Sequence, residues 1–333
     1  MEVCPVYSAK KTETSLLRGK FLQILGLIRK ELKYDKNLAY NLDLCLGCNK
    51  CKKACPSDIN ALKIFAIVRS ENQNIFEKIF YSAPFFKLKL FSLKMMYKLK
   101  YPIGRRYYKK REKFETNKKI AHFNGCATKA IGLKFDIPQK FVEEKFSCCA
   151  LPFYIKGRFD LYEKYKKRNI ELIKKYDKVV FDCATCYDTV LNYDGVEKEK
   201  LVYFTDFYKN QKLKVEKQIK VAFHKPCHLD EKTLNDIEII LKNTENVTYV
   251  DYQEKNDCCG FGGDFFTRHV KSATTLSLRK IDSLIKNDID VVLTSCPTCL
   301  WSLKFGIKYR KSKIKAYDIA DFLHNFTSLN NGE

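Results

Sequence analysis

The sequence predicts an α+β chain of several domains: a small helical module at the N-terminus, followed by two repeated α/β modules. Three observations predict it. The fifteen cysteines fall into three groups of five, and none lies between residues 56 and 125. The second and third groups repeat one another in order and spacing. Short apolar runs alternate with helical patterns through the repeated part, as in parallel sheets whose strands are joined by helices. The organisation expected is an N-terminal module at 1–65, a basic helical linker at 66–117, a first repeat at 118–215 and a second at 216–333.

The repeat is the strongest organising signal. One copy reads Cys126, Cys148, Cys149, then Cys183 and Cys186. The other reads Cys227, Cys258, Cys259, then Cys296 and Cys299. An apolar run precedes each first cysteine: Ile120, Ala121, His122 and Phe123 in one copy, Val221, Ala222, Phe223 and His224 in the other. Another precedes each CxxC: Val179, Val180 and Phe181, then Val291, Val292 and Leu293. Such β-branched runs read as buried strands. Helical patterns at 160–176 and 269–287 stand ahead of the CxxC strands, with apolar residues three and four apart (Leu161, Tyr165, Leu172; Leu276, Ile281, Leu284, Ile285). The cysteines are then expected at strand ends and the loops that follow, where open α/β sheets hold their ligands. Two such modules make a pseudo-twofold pair, with both sites near the shared interface.

Bulk properties narrow the chemistry. The chain has 333 residues, 45% of them hydrophobic and 14% aromatic, which suits a folded chain with a sizeable core and excludes a disordered one. An odd number of cysteines in a long chain fits a disulfide framework poorly. Met1, Glu2, Val3, Cys4 and Pro5 show neither the charged nor the apolar region of a secretory signal. The thiols are therefore expected in the reducing cytoplasm, where clustered cysteines serve metal or redox chemistry. The formal charge is +23, and residues 84–119 carry thirteen Lys/Arg against two Glu. No run of eighteen apolar residues occurs; the best stretch, 79–99, is interrupted by Lys87, Lys89, Lys94 and Lys98.

The N-terminal group has the most specific spacing. Cys45, Cys48, Cys51 and Cys55, with Pro56 after the last, form the C-x2-C-x2-C-x3-C-P run of bacterial [4Fe–4S] ferredoxins. Three closely spaced thiolates on a tight loop wrap one side of a cubane, and Gly47 allows close backbone approach. The fourth cysteine of such a run ligates the other cluster of a pair. A second Cys-Pro is thus expected to complete the first site, and Cys4-Pro5 supplies it. Cluster one is assigned to Cys4, Cys45, Cys48 and Cys51. Cys55 is left for a second cluster whose other ligands would precede Cys4, so the sequence is expected to be truncated at its N-terminus. The competing reading is a zinc site, although zinc knots lack the C-x3-C-P tail.

These motifs together resemble the iron–sulfur subunits of glycolate oxidase, lactate-utilisation and anaerobic glycerol-3-phosphate dehydrogenase complexes. The repeats resemble the CCG domain shared with the cysteine-rich subunit of heterodisulfide reductase. The residues that carry the resemblance are Cys4 to Tyr7, Leu17 to Lys20, Leu44 to Cys48, His224 to His228, Cys258 to Gly263 and Cys296 to Cys299. The resemblance implies a further metal centre in the second repeat, at Cys227, Cys258, Cys259, Cys296 and Cys299. It would be a non-cubane [4Fe–4S] cluster or zinc. Cys259 is followed there by Gly260, with Gly262 and Gly263 beyond. The first repeat, with Cys126, Cys148, Cys149, Cys183 and Cys186, departs from the pattern: Ala150 follows Cys149, and the stretch from Cys126 to Cys148 is shorter than that from Cys227 to Cys258.

Other residues carry less. His224 and His228 flank Cys227 and could ligate, relay protons or simply hydrogen-bond at a strand end. His122, His269 and His324 read as structural, and Trp301 as packing beside the second site. The basic aromatic stretch from Phe85 to Tyr108 reads as a helical linker with snorkelling lysines. An anionic membrane surface is the next reading. Nucleic acid is disfavoured because no recognition motif accompanies the charge. No GxGxxG or P-loop motif is found, so oxidation of an organic substrate is expected on a partner, an FAD-linked dehydrogenase or oxidase subunit. The function expected is an electron-transfer subunit delivering to quinone or another acceptor, cytoplasmic or peripheral on the inner membrane face. A heterodisulfide reductase-like enzyme acting at the second repeat and a zinc-stabilised interaction protein are the alternatives. The catalytic residues, if any, are not defined by the sequence.

Overall fold

The computed structural model describes residues 3–100, 119–131, 133, 141, 142 and 144–329. Each repeat is built on a parallel sheet. In the first, β1 (Ile120–His122), β2 (Lys178–Phe181) and β3 (Leu201–Tyr203) lie side by side in that order. In the second, β4 (Leu213–Phe223), β5 (Glu245–Tyr249), β6 (Val291–Thr294) and β7 (Lys315–Asp318) are parallel in the order β5-β4-β6-β7. A short strand, β8 (Thr327–Leu329), pairs antiparallel with the start of β4. Val179, Val180 and Phe181 of β2 and Val292 and Leu293 of β6 are fully buried, as near-continuous apolar strands covered on both faces must be.

The helices expected ahead of the CxxC strands are Phe159–Ile173 and Val270–Lys286. Each CxxC then starts a new helix. Cys183 stands at the N-cap position of Ala184–Leu191, and Cys296 at that of Pro297–Tyr309. The second cysteine of each pair lies three residues on, in the first turn, so both thiols share one helix face. A helix N-terminus also favours the thiolate form. The two repeats superpose in their hydrogen bonding: Phe123 N donates to Val180 O at 2.9 Å, and His224 N donates to Leu293 O at 2.8 Å. Phe123 and His224 are therefore equivalent positions, three residues before the first cysteine of each set.

The N-terminal module packs helices Leu17–Ile28, Lys36–Asp43 and Ala61–Asn72 around Ile24, Leu38, Leu42, Phe65 and Val68. Asp35 and Asn60 cap the second and third of these by accepting from backbone N–H groups. The cysteine loop leaves the second helix at Leu44. Gly47 turns it with φ +65, and a side chain there would strike Ile155 of the first repeat at 2.8 Å. The expected junctions do not fall between elements: 65/66 lies inside helix Ala61–Asn72, and 215/216 lies inside β4. At 215/216 the β4–β5 register shifts between Lys214 and Ile219, but the strand continues through it. The linker is helical, Ile75–Phe80 and Ala83–Lys100, the first of these entered through an Asn74/Glu77 capping box. The remainder of the basic stretch, 101–118, lies outside the described residues. Among the described residues no helix is long and apolar enough to cross a membrane.

Candidate metal centre

All fifteen thiols are free. Cys4, Cys45, Cys48 and Cys51 line one small pocket of about 40 Å³, closed by Leu17, Lys20, Leu44, Leu62 and Phe65. Lys20 is buried inside the module. Its Nζ donates to Leu44 O at 2.6 Å and Ser15 O at 2.9 Å, which satisfies a cation that would otherwise be costly to bury. Burial pushes its pKa down, while the charges of Cys45, Cys4 and Cys51 push it up. Four thiols converging on a pocket with a buried cation beside it suit an anionic thiolate-ligated cluster. Cys55 does not line this pocket; it follows the short helix Lys50–Lys53, with its N–H bonded to Lys52 O.

The ten repeat thiols form a connected line. Cys126 meets Cys148 at 3.3 Å. Cys148 hydrogen-bonds Cys149, Cys149 reaches Cys186, and Cys186 reaches Cys183. Cys183 meets Cys296 across the module boundary, beside the backbone bond from Ala184 N to Ser295 O at 2.9 Å. From there the order mirrors itself: Cys296 to Cys299, Cys299 to Cys259 at 3.3 Å, Cys259 to Cys258, and Cys258 to Cys227. Cys258 also meets Cys48 of the N-terminal loop. Hydrogen bonds from Cys148 and Cys186, with the Leu151 N–H, hold Cys149 well below the usual thiol range. Cys259 is held down in the same way by Cys258 and Cys299, with the Phe261 N–H. In each module the second cysteine of the Cys-Cys pair is held down, and in the second module Cys296 is held down as well, by Cys183 and Cys299. The carbonyl of the pair's second cysteine is capped in both: Tyr193 Oη donates to Cys149 O and Ser302 Oγ to Cys259 O, each at 2.7 Å.

Around this line the modules differ. In the second, Lys280 is buried and donates to Glu254 O at 2.6 Å and Asp257 O at 2.9 Å; burial lowers its pKa to about 8 against the opposing charges of Asp257, Cys259, Cys258 and Cys299. His224 is fully buried, and burial foremost, then the charge of Lys280, hold it well below its ordinary pKa. His228 Nδ1 lies 2.7 Å from Asp188 Oδ2 of the first module. His122 and His269 are structural, facing Asp182 at 3.3 Å and Asp43 at 3.7 Å. Trp301 packs on Phe261 and Phe266 beside the second site.

A cavity of about 590 Å³ opens onto the thiols of both modules, among them Cys126, Cys149, Cys186, Cys227, Cys259 and Cys299. Its far wall is apolar and aromatic, supplied by helix Ala83–Lys100 through Phe85, Phe86, Leu88 and Leu90. An ion cluster beside it joins all three modules: Asp43 bonds Lys156 at 2.6 Å and Arg268 at 2.8 Å, and Lys156 also bonds Asp264 at 2.9 Å.

The family model of the cysteine-rich domain, CCG, matches residues 117–190 and 221–304, and that of the 4Fe-4S dicluster domain matches residues 1–59. The chain belongs to the iron–sulfur proteins that join a 4Fe-4S dicluster domain to two CCG domains. It is 26% identical over 312 residues to an uncharacterized iron–sulfur protein of Methanococcus maripaludis, covering 85% of this chain and 60% of that protein. It is 27% identical over 201 residues to a fumarate reductase (CoM/CoB) subunit of Methanothermobacter marburgensis, covering 58% of this chain and 40% of that one. It is 23% identical over 232 residues to lactate utilization protein A of Bacillus cereus, covering 64% of this chain and 94% of the other. The chain therefore spans about 60% or less of the length of the two archaeal relatives. A hypothetical protein from Helicobacter pylori has the same fold over 92% of this chain and 67% of its own, with a TM-score of 0.52 at 11% identity.

For this CCG iron–sulfur protein, the cysteine spacing brings together ten thiols in one line and four in one pocket. Two contacts are invisible to spacing. The Cys48–Cys258 meeting joins residues far apart in sequence, and the Asp43 cluster draws one residue or more from each module. Lys280 did leave a signal: it stands four residues after Leu276 and four before Leu284, on the apolar stripe of its helix. A charge on such a stripe has to find buried partners.

Proposed function

We propose that this protein is the electron-transfer subunit of an oxidoreductase complex. Cys4, Cys45, Cys48 and Cys51 would hold a [4Fe–4S] cluster, and the five cysteines of each CCG module would hold further iron–sulfur centres. Cys55 would serve a second ferredoxin-type cluster if ligands precede Cys4. The donor would be an FAD-linked dehydrogenase oxidising a glycolate-, lactate- or glycerol-3-phosphate-type substrate, and the acceptor a quinone or a similar carrier. The observation that carries this reading is the succession of neighbouring thiols: Cys48 of the ferredoxin-type pocket interacts electrostatically with Cys258 and Cys183 with Cys296, and Cys45 lines the same cavity as the thiols of both modules. Bound clusters supply one-electron chemistry; the chain supplies burial, cations and sulfur hydrogen bonds that set each potential. The apolar wall of the cavity, and the exposed Phe76, Leu88 and Phe91 on the helices around it, suit a lipophilic acceptor and peripheral contact with a membrane surface.

A second reading has its own observation. Thiols of both modules face one cavity of about 590 Å³, which suits reduction of a disulfide substrate held between them. The test is anaerobic purification followed by iron, sulfide and zinc analysis, with EPR of the reduced protein. A cubane signal oxidised by a soluble quinone analogue supports the carrier. A signal perturbed by a thiol or disulfide and not by quinone replaces the carrier with the reductase. Zinc without iron overturns both in favour of a zinc-stabilised interaction protein.

A further inference from the structure

Position 224 is where the two modules part in chemistry while keeping their backbone. Phe123 and His224 occupy equivalent places, with equivalent hydrogen bonds, and both are fully buried. Phe123 stacks between Phe146 at 4.9 Å and Phe181 at 4.8 Å, so a hydrocarbon ring fills this place without any polar partner. A ring is needed for packing; a nitrogen is not. The imidazole of His224 nonetheless brings two nitrogens into a buried site. Nδ1 lies 3.1 Å from Lys255 O. A carbonyl only accepts, so Nδ1 carries the proton and the neutral ring presents a lone pair at Nε2. That Nε2 is buried and has no hydrogen-bond partner. The imidazole lies beside Cys259 and Cys299, with one ring nitrogen and the two Sγ atoms all within 4.8 Å of one another, and Nε2 is the nitrogen left free by Lys255.

A buried, unsatisfied acceptor is costly to keep where a phenyl ring would do. An imidazole whose second nitrogen is tied to a backbone carbonyl is also the usual arrangement of a metal-bound histidine, because that bond fixes the tautomer and aims the lone pair. We propose that His224 Nε2 is a nitrogen ligand of the second module's metal centre, beside Cys259 and Cys299. That centre is then of mixed nitrogen and sulfur ligation, while the first module's is all-sulfur. The inference rests on the reading that the CCG cysteines of the second module hold an iron–sulfur centre.

The test uses the full chain, purified anaerobically after growth with 15N-histidine, and needs no variant to begin. Pulsed EPR of the reduced protein should show a directly coordinated nitrogen whose coupling changes with histidine labelling. In His224→Phe, which copies the first module, that coupling should vanish. The signal of the N-terminal cluster should stay unchanged. Iron and sulfide bound at the second module with no histidine coupling in the labelled wild type would overturn the inference and leave the electron-transfer reading standing. A coupling that survives in His224→Phe would overturn it too. A second module without iron removes the inference together with the reading beneath it.

Discussion

The two CCG modules hold the same sulfur geometry in different surroundings. Both place a CxxC at a helix start, both favour a thiolate at the second residue of the Cys-Cys pair, and both cap that residue's carbonyl with a hydroxyl. The first module puts Phe123, stacked on Phe146 and Phe181, where the second has His224, and has a three-stranded sheet. The second has five strands, a buried cation in Lys280, a buried imidazole in His224, and contact with the N-terminal loop through Cys258. The difference teaches that ligand placement and tuning are carried by separate residues. Spacing preserves the first, and the neighbours of the thiols set the second.

The most far-reaching effect comes from cutting what holds both modules to the N-terminal one. Asp43 is the shared partner of Lys156 in the first module and Arg268 in the second. Its burial pushes its pKa up. The nearby His269 imidazole, 3.7 Å away, and the charges of Lys156, Arg268 and Arg69 outweigh this and hold the carboxyl well below the ordinary range. Asp43→Asn leaves Lys156 with Asp264 alone and the half-exposed Arg268 without this carboxylate, and should cost about 1–3 kcal/mol, read as a lower guanidinium midpoint of the anaerobic holoprotein. The pH dependence has a definite sign. A carboxyl whose folded pKa is depressed contributes fully above its unfolded value of about 4 and loses that contribution as pH falls toward the folded value. The wild type should lose stability on acidification below about pH 4 more steeply than Asp43→Asn. Equal slopes would mean that Asp43 is not the acid-sensitive hold.

That hub marks the limit of what sequence alone reveals here. The strands β1, β2, β4 and β6 and the helices between them are readable because period and composition act locally: Val179 to Phe181 can only be a short buried run, and Leu276, Ile281 and Leu284 can only share a helix face. The cysteine sets are readable because ligation demands fixed spacing. The linker's place is not, since nothing in Phe85, Phe86 and Leu90 says that they wall a cavity lined by cysteines as near as Cys126 and as far as Cys299. Asp43 and Lys156 look like ordinary surface charges until the fold buries them, with Arg268 at the edge. Their meaning lies in packing between modules, which no local pattern encodes.

The next effect separates the modules at the residue after the Cys-Cys pair. Gly260 has φ +78, and a side chain there would meet Leu276 Cβ at 3.0 Å and Ala273 O at 3.1 Å. Gly260→Ala therefore combines a left-handed backbone with crowding against the helix Val270–Lys286. It should cost about 2–3 kcal/mol. The check is the same denaturation midpoint, with iron content of the second module measured alongside; a variant as stable as wild type would show that the helix yields easily.

The reciprocal change, Ala150→Gly, should do least. Ala150 already adopts φ 64, the conformation of Gly260, so the first module tolerates a side chain where the second does not. Glycine would relieve about 1 kcal/mol of left-handed strain. Against this, it frees the unfolded chain by about 0.4–1 kcal/mol. It also gives up a methyl that is fully buried, worth about 0.8 kcal/mol. The terms nearly cancel, and the midpoint should move by less than about 1 kcal/mol in either direction. A clear gain would mean that the first module is strained at its thiols and kept so. A negligible change would mean that its departure from the cysteine-cysteine-glycine pattern is a settled packing solution, in which the alanine methyl fills space that the second module gives to Leu276.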